Sequence, residues 1–327
     1  MFKALVLDQE EGQLLVDIKQ LDEDALPQEE VRVAVEFSSL NYKDGMAVTG
    51  TGKIIRGFPM VPGIDYAGKV IESASGRYKP GDKVILTGWG VGERHWGGYS
   101  QQAAAKAEWL VPMPSGLDSS KAMIIGTAGL TAMLCIMTLE EAGVTPDHGP
   151  ILVTGASGGV GSVATLLLSQ LGYEVAAVTG RESTHEYLRG LGATQIVARD
   201  TMYADSRPLE SQLWAGAVDT VGGNILARVL AEMKYGAAVA ACGLASSFEL
   251  NTTVMPFILR NVSLRGVDSV SCPYERRTQA WERLASDLPE SAYSAISRTV
   301  GLEEIEAVSK EIMAGQVQGR ILVNPNL

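Results

Sequence analysis

Cysteine and histidine are what this chain has least of. Its 327 residues include 3 of each, Cys135, Cys242 and Cys272 beside His95, His148 and His185. Their wide spacing follows neither a disulfide framework nor a zinc motif, so no metal site is expected. Cys135 lies in the apolar stretch 131–139 and reads as a core thiol. Cys242 follows a strand, where it can line a cofactor site. Neither has a visible His partner, which argues against nucleophilic cysteine chemistry. Positive charge is also in deficit. The formal net charge of -11 disfavours nonspecific nucleic-acid binding, although a local basic patch can still hold an anionic ligand. The sequence reads as having no apolar run of eighteen residues and no basic region leading into an apolar one. Neither a membrane span nor a secretory signal is expected, and the expected location is cytoplasmic. Internal repeats and low-complexity linkers are missing too.

What is present is a glycine-rich turn. Ile151-Leu152-Val153-Thr154 reads as a short buried strand, and Gly155-Ala156-Ser157-Gly158-Gly159-Val160-Gly161 turns it into a helix that begins near Gly159. Such a turn lets the backbone approach a pyrophosphate, and the first amides of the helix are unpaired donors facing an anion. Ala156 stands where the usual GxGxxG has its first glycine. Ser157, Gly158, Gly159 and Val160 are the expected cofactor-binding residues of this turn. The next strand, 174–178, ends at Thr179-Gly180-Arg181, where an NAD-binding fold places a carboxylate for the ribose hydroxyls. No acid stands there. Arg181 offers a charge-assisted fork and Thr179 a hydroxyl to a 2′-phosphate, so the expected cofactor is NADPH. Arg199, at the end of the third strand, is a further candidate for that phosphate.

The length suits two domains with full cores. Residues 2–7, 14–18, 31–37, 63–70 and 81–86 read as strands of a β-rich, barrel-like first part. Residues 120–140 read as a long helix leading into an α/β part. Its strands, at 151–154, 174–178, 195–198, 215–219 and 236–241, alternate with helical stretches such as 184–191 and 224–234, the pattern of a doubly wound parallel sheet. A helix near 302–314 and a strand at 320–323 follow, and this tail is expected to return to the first part. The predicted divisions are 1–120, 121–265 and 266–327, with the active-site cleft between domains. Asp65 and Asp82 read as structural polar groups.

Several motifs together carry a family resemblance: Ser38-Ser39-Leu40-Asn41-Tyr42-Lys43-Asp44, Pro62-Gly63-Ile64-Asp65, Gly126-Thr127-Ala128-Gly129-Leu130-Thr131-Ala132, the 154–161 turn, Leu264-Arg265-Gly266-Val267-Asp268-Ser269 and Gly319-Arg320. The chain resembles the zinc-independent branch of the medium-chain dehydrogenase/reductase superfamily, the quinone-oxidoreductase-like proteins associated with NADPH-dependent acryloyl-CoA reduction. Zinc-dependent relatives have Gly-His-Glu where this chain has Gly63-Ile64-Asp65. The resemblance implies a GroES-like first domain, a Rossmann-like second domain and a homodimer.

It also implies a reaction. Hydride passes from the nicotinamide to the β-carbon of acryloyl-CoA, a proton reaches the α-carbon, and propanoyl-CoA results. Such a site needs a donor aimed at the thioester oxygen. Asn41 and Tyr42 are the expected catalytic residues, the first as an amide donor and the second as a phenol that orients the nicotinamide or donates a hydrogen bond. Tyr42, Leu244, Asp268 and Arg320 are expected near the cofactor, Arg320 against a phosphate. Lys43 and Asp44 are expected to pair with each other, with Lys43 a lesser candidate for substrate phosphate. The glycine-rich 89–98 segment, with Arg94 and His95, is a candidate substrate lid. Two other readings stay open on the residues alone, an NADPH-dependent quinone or small-enone reductase and a nonenzymatic NADPH-binding sensor.

Overall fold

The computed structural model describes residues 1–204 and 206–327, and the chain divides into two compact units. One comprises Met1–Thr127, Ser269–Ser286 and Tyr293–Leu327; the other comprises Ala128–Asp268 and Asp287–Ala292. The observed divisions at 127 and 268 lie slightly beyond the expected 120 and 265, and the returning tail leaves 287–292 with the second unit.

Alternation builds the first unit. In strand Val31–Leu40, Val31, Val33 and Val35 face a core shared with Tyr66, Val84, Leu86 and Leu110. This strand pairs antiparallel with Asp65–Ser73, which pairs with Lys83–Thr87, which pairs with Leu110–Pro112. On its other side lies the returning strand Arg320–Val323, with Ile321 opposite Leu40 and Val323 opposite Ser38. Ser297–Val300 completes a seven-stranded sheet in which Gln102–Ala105 also pairs with Val31–Leu40. The hairpin Phe2–Glu10 and Gln13–Leu21 forms a separate pair.

Helix Tyr42–Thr49 starts where strand Val31–Leu40 ends. Asn41 precedes its first turn, the Asn41 amide donates to the Asp44 carboxylate at 2.9 Å, and the helix packs on helix Ile305–Met313. The expected helix at 120–140 is helix Ser119–Glu141, broken at Gly126, where φ is 53° and ψ is -160°. Its apolar window has a mean hydropathy of 2.0, enough in length and composition to cross a membrane, so the expectation that no such segment exists is corrected. That window is wholly buried within the protein.

In the second unit all neighbouring strands are parallel. The spatial order is Gln195–Ala198, Val175–Thr179, Ile151–Val153, Trp214–Asp219, Met233–Ala241, Ser263–Gly266. In chain order that is 3-2-1-4-5-6, the doubly wound arrangement with its crevice at the carboxyl ends of strands 1 and 4. Ile151–Val153 and Val175–Thr179 are buried at every residue, as strands covered on both faces must be.

Candidate cofactor and active-site residues

The glycine turn leaves the first strand of the second unit as its sequence requires. A Cβ on Gly161 would lie 2.3 Å from the Gly155 carbonyl oxygen and 2.6 Å from Ala156 Cα, so only glycine lets the helix start this close to the turn. Helix Gly159–Gln170 has Gly158 as its N-cap with no side-chain cap, which leaves its first amides free for an anion. The turn is tied beneath. Thr154 Oγ1 donates to Asp219 Oδ1 at 2.7 Å, and the Gly222 amide donates to Asp219 Oδ2 at 2.8 Å. Burial raises the Asp219 carboxyl above its ordinary range.

Arg181 Nη2 donates to Ser157 Oγ at 2.9 Å, so the cation after the second strand is docked on the glycine turn itself. Its own amide reaches Thr179 Oγ1 at 3.2 Å. Arg199 lies across Gly180, where an added Cβ would fall 2.6 Å from the guanidinium carbon. Thr179, Gly180, Arg181 and Arg199 therefore form one cationic corner without a carboxylate among them, fitted to a ribose 2′-phosphate. Leu244 follows the fifth strand and is 65% exposed, and its Cα lies 3.4 Å from the Cβ position of Gly222. Asp268 follows the sixth strand and is exposed. The residues present thus fit a phosphorylated dinucleotide. Cys242 stands at the end of the fifth strand with its thiol on the Asp219 carbonyl at 3.4 Å. Beside it, hydrogen bonding and burial push the Cys135 thiol well up, consistent with a core role.

The first unit holds a buried polar hub that single-residue reading missed. Asp65 is fully buried. Its Oδ1 accepts from Ser39 N at 3.1 Å and Ser39 Oγ at 2.7 Å. Its Oδ2 accepts from Asn41 Nδ2 at 2.9 Å and from the Thr127 amide, just past the helix break, at 2.8 Å. Arg320, 2% exposed, donates to Ser39 Oγ at 2.7 Å, the Ile124 carbonyl at 3.0 Å and Asn41 Oδ1 at 3.3 Å. The placement of Arg320 against a cofactor phosphate is therefore corrected, because its guanidinium is enclosed and engaged inside this unit. The same holds for Asn41 as a donor to substrate: it is 8% exposed and its amide serves Asp65. Asn41 acts instead as a positioning residue at the start of the helix. Two carboxylates share this hub with one guanidinium. Burial, then the neighbouring charge of Asp65, pushes Asp44 up to about 7.

Tyr42 differs from its neighbours. It sits at the first position of the helix and is 41% exposed, so the hub fixes its backbone while its ring faces outward. Lys43 does not pair with Asp44. Lys43 Nζ meets Glu93 Oε1 at 2.8 Å, while Asp44 is turned inward to the amides of Asn41 and Ile64. The 89–98 segment is not a free flap: Gly97 and Gly98 donate to the Val61 and Gly63 carbonyls at 2.7 and 2.9 Å, and Trp96 Nε1 reaches the Pro59 carbonyl at 3.2 Å. His95 packs against Trp109 with its ring tilted by 57° and ring centroids 4.6 Å apart. Arg277, another buried cation, donates to the Thr87 carbonyl at 2.7 Å and lies over the Trp89 ring. Its helix, Tyr274–Asp287, has no counterpart in the sequence reading, which left Arg277 without a signal. Among the described residues no group of three His, Cys, Asp or Glu side chains is arranged to hold a metal ion.

Comparison with known proteins agrees with this geometry. Residues 27–115 match the alcohol dehydrogenase GroES-like domain, and residues 159–286 match the family described as zinc-binding dehydrogenase. The acrylyl-CoA reductase AcuI of Ruegeria pomeroyi is 58% identical, covering 100% of both chains. The YhdH oxidoreductase of Salmonella enterica, solved in complex with NADP, is 59% identical with a TM-score of 0.97, covering 98% of this chain and 99% of that one. Escherichia coli K-12 YhdH, solved with bound NADPH, is 61% identical with a TM-score of 0.97, covering 99% and 100%.

Proposed function

Since the chain belongs to the zinc-independent acrylyl-CoA reductase branch of the medium-chain dehydrogenase/reductase superfamily, we propose that it reduces the carbon-carbon double bond of acryloyl-CoA to give propanoyl-CoA. The observation that carries the cofactor half is the corner of Arg181, docked on Ser157, and Arg199, packed over Gly180, with no acid at the strand end Thr179-Gly180-Arg181 itself. With NADPH bound, the chemistry supplied is a hydride for the β-carbon of the alkene.

The chain's own residues do the rest. The glycine turn and the helix amides hold the pyrophosphate, and Leu244 and Asp268 border the same carboxyl edge of the sheet. Tyr42 is the donor to the thioester oxygen, on which negative charge grows as the β-carbon is reduced. A phenol there lowers the barrier because it is stronger toward that developing charge than toward the neutral thioester. Asn41, Asp44 and Asp65 set its position from behind.

The protein is proposed to act in the cytoplasm as a homodimer. Supporting the dimer are large apolar side chains that the second unit leaves exposed between residues 248 and 259: Phe248 is 85%, Val254 65%, Ile258 73% and Leu259 56% exposed. The strand that follows them in sequence, Ser263–Gly266, is an edge strand of the sheet.

The test is an assay of the purified protein with NADPH and acryloyl-CoA, following loss of reduced nicotinamide and identifying the acyl product, with NADH and a small quinone in parallel. Propanoyl-CoA formation with NADPH is the expected result. NADPH binding without that product overturns the reading, in favour of a quinone reductase if the quinone turns over and of a sensor if nothing does.

A further inference from the structure

Helix Tyr42–Thr49 leads into a segment that meets the 89–98 segment through a backbone hydrogen bond, from the Arg56 amide to the Glu93 carbonyl at 2.9 Å. The charges of these two stretches are unusual for an acidic chain. Residues 45–64 and 88–98 contain Lys53, Arg56 and Arg94 but a single acid, Glu93. Glu93 is already neutralised by Lys43, Nζ to Oε1 2.8 Å, and its side chain is only 14% exposed. Arg56 and Arg94 are both exposed, and neither guanidinium has a carboxylate or hydrogen-bond partner among the described residues. Two uncompensated guanidinium groups therefore stand on adjoining backbone, one ion pair away from the helix turn that presents Tyr42.

We propose that Arg56 and Arg94 bind the phosphates of the coenzyme A handle of the substrate, an inference that rests on the acyl-CoA reductase reading. Coenzyme A carries a 3′-phosphate and a diphosphate at the end remote from its thioester. Guanidinium forks match phosphate oxygens in geometry and in charge. The Lys43–Glu93 pair has a positioning role here. It anchors the 89–98 segment to the helix that carries Tyr42, and it withdraws the one nearby carboxylate that would otherwise neutralise an arginine. The cofactor has its own cations in Arg181 and Arg199, which leaves Arg56 and Arg94 to a second anionic ligand.

The test compares acryloyl-CoA with acryloyl-pantetheine, which keeps the alkene and thioester and has no phosphate beyond the pantetheine arm. The readout is the ratio of kcat/KM for the two substrates, with the KM for NADPH measured alongside. In the double variant Arg56→Ser/Arg94→Ser the ratio is expected to fall roughly tenfold or more, since each charge-assisted contact contributes about that factor. The change should lie in KM for acryloyl-CoA. In the unmodified protein the ratio should shrink as ionic strength rises. Arg56→Lys/Arg94→Lys should retain most of the preference. This variant and the salt series also decide the matter if the serine variant fails to fold. A ratio that is unchanged in the serine variant and insensitive to salt overturns the proposal, as does an effect confined to NADPH. If the unmodified protein reduces a quinone and neither thioester, the reductase reading falls first and this inference falls with it.

Discussion

A methyl group at position 180 would stand 2.6 Å from the Arg199 guanidinium carbon, and the easiest relief is for that flexible side chain to swing aside. Gly180→Ala is therefore expected to raise the KM for NADPH by roughly tenfold, the worth of one charged hydrogen bond, while the KM for NADH and the melting temperature stay put. Steady-state kinetics with both cofactors would check this. Tyr42→Phe removes only a hydroxyl and should lower kcat with acryloyl-CoA by roughly a hundredfold with NADPH affinity intact, as fluorescence titration and stopped-flow turnover would reveal. Asp44 sets a pH dependence. Its carboxyl is raised from 3.8 to about 7, first by burial and then by Asp65, so over that window the folded chain keeps a proton that the unfolded chain has released. The resulting stability is complete below about pH 4 and is lost as pH climbs through about 7. Calorimetry from about pH 5 to about pH 8 should show the melting temperature of the unmodified protein falling relative to that of Asp44→Asn. Parallel curves would contradict this assignment.

Among the elements, the break in helix Ser119–Glu141 is the most exacting. A Cβ on Gly126 would meet Arg320 Nη2 at 2.5 Å, Ser39 Oγ at 2.6 Å and Asp65 Oδ2 at 3.0 Å, and the residue's φ of 53° is strained for any side chain. Gly126→Ala is expected to lose about 3 kcal/mol in a urea titration, because the atoms it strikes are bonded to one another and cannot move singly. The parallel strands were legible in the sequence, since Ile151–Val153 and Val175–Thr179 are apolar runs bounded by turn residues. The strand Ser263–Gly266 was not, being short, at the sheet edge and half polar, with its pairing supplied by Met233–Ala241. The nearness of Thr179, Gly180, Arg181 and Arg199 was readable because they end or directly follow neighbouring strands. The hub was hidden because its contacts are long-range: Arg320 and Ser39 stand 281 positions apart, and no local pattern links them. Asn41 and Arg320 were expected to face ligand, and the structure turns both inward.

At the scale of the molecule, the exposed apolar side chains of Phe248 and Ile258 should decide assembly. Phe248→Glu/Ile258→Glu is expected to convert a dimer to a monomer in light scattering, because each buried carboxylate would lack a partner; a protein already monomeric before substitution would remove the dimer from the proposal. The division of the chain has a separate consequence. The first unit takes residues from both sides of the second in the sequence, and its hub and sheet are completed by the late strand Arg320–Val323. The second unit lies mostly within 128–268. On the ribosome, the earlier-made strands must wait, with Ser39 lacking its Arg320 guanidinium and the edge of Val31–Leu40 lacking its Arg320–Val323 partner, until that late segment has been read. The nucleotide-binding sheet has most of its sequence out of the exit tunnel well before then. A stop codon placed just before Arg320 would leave the earlier-made unit permanently waiting for its final strand.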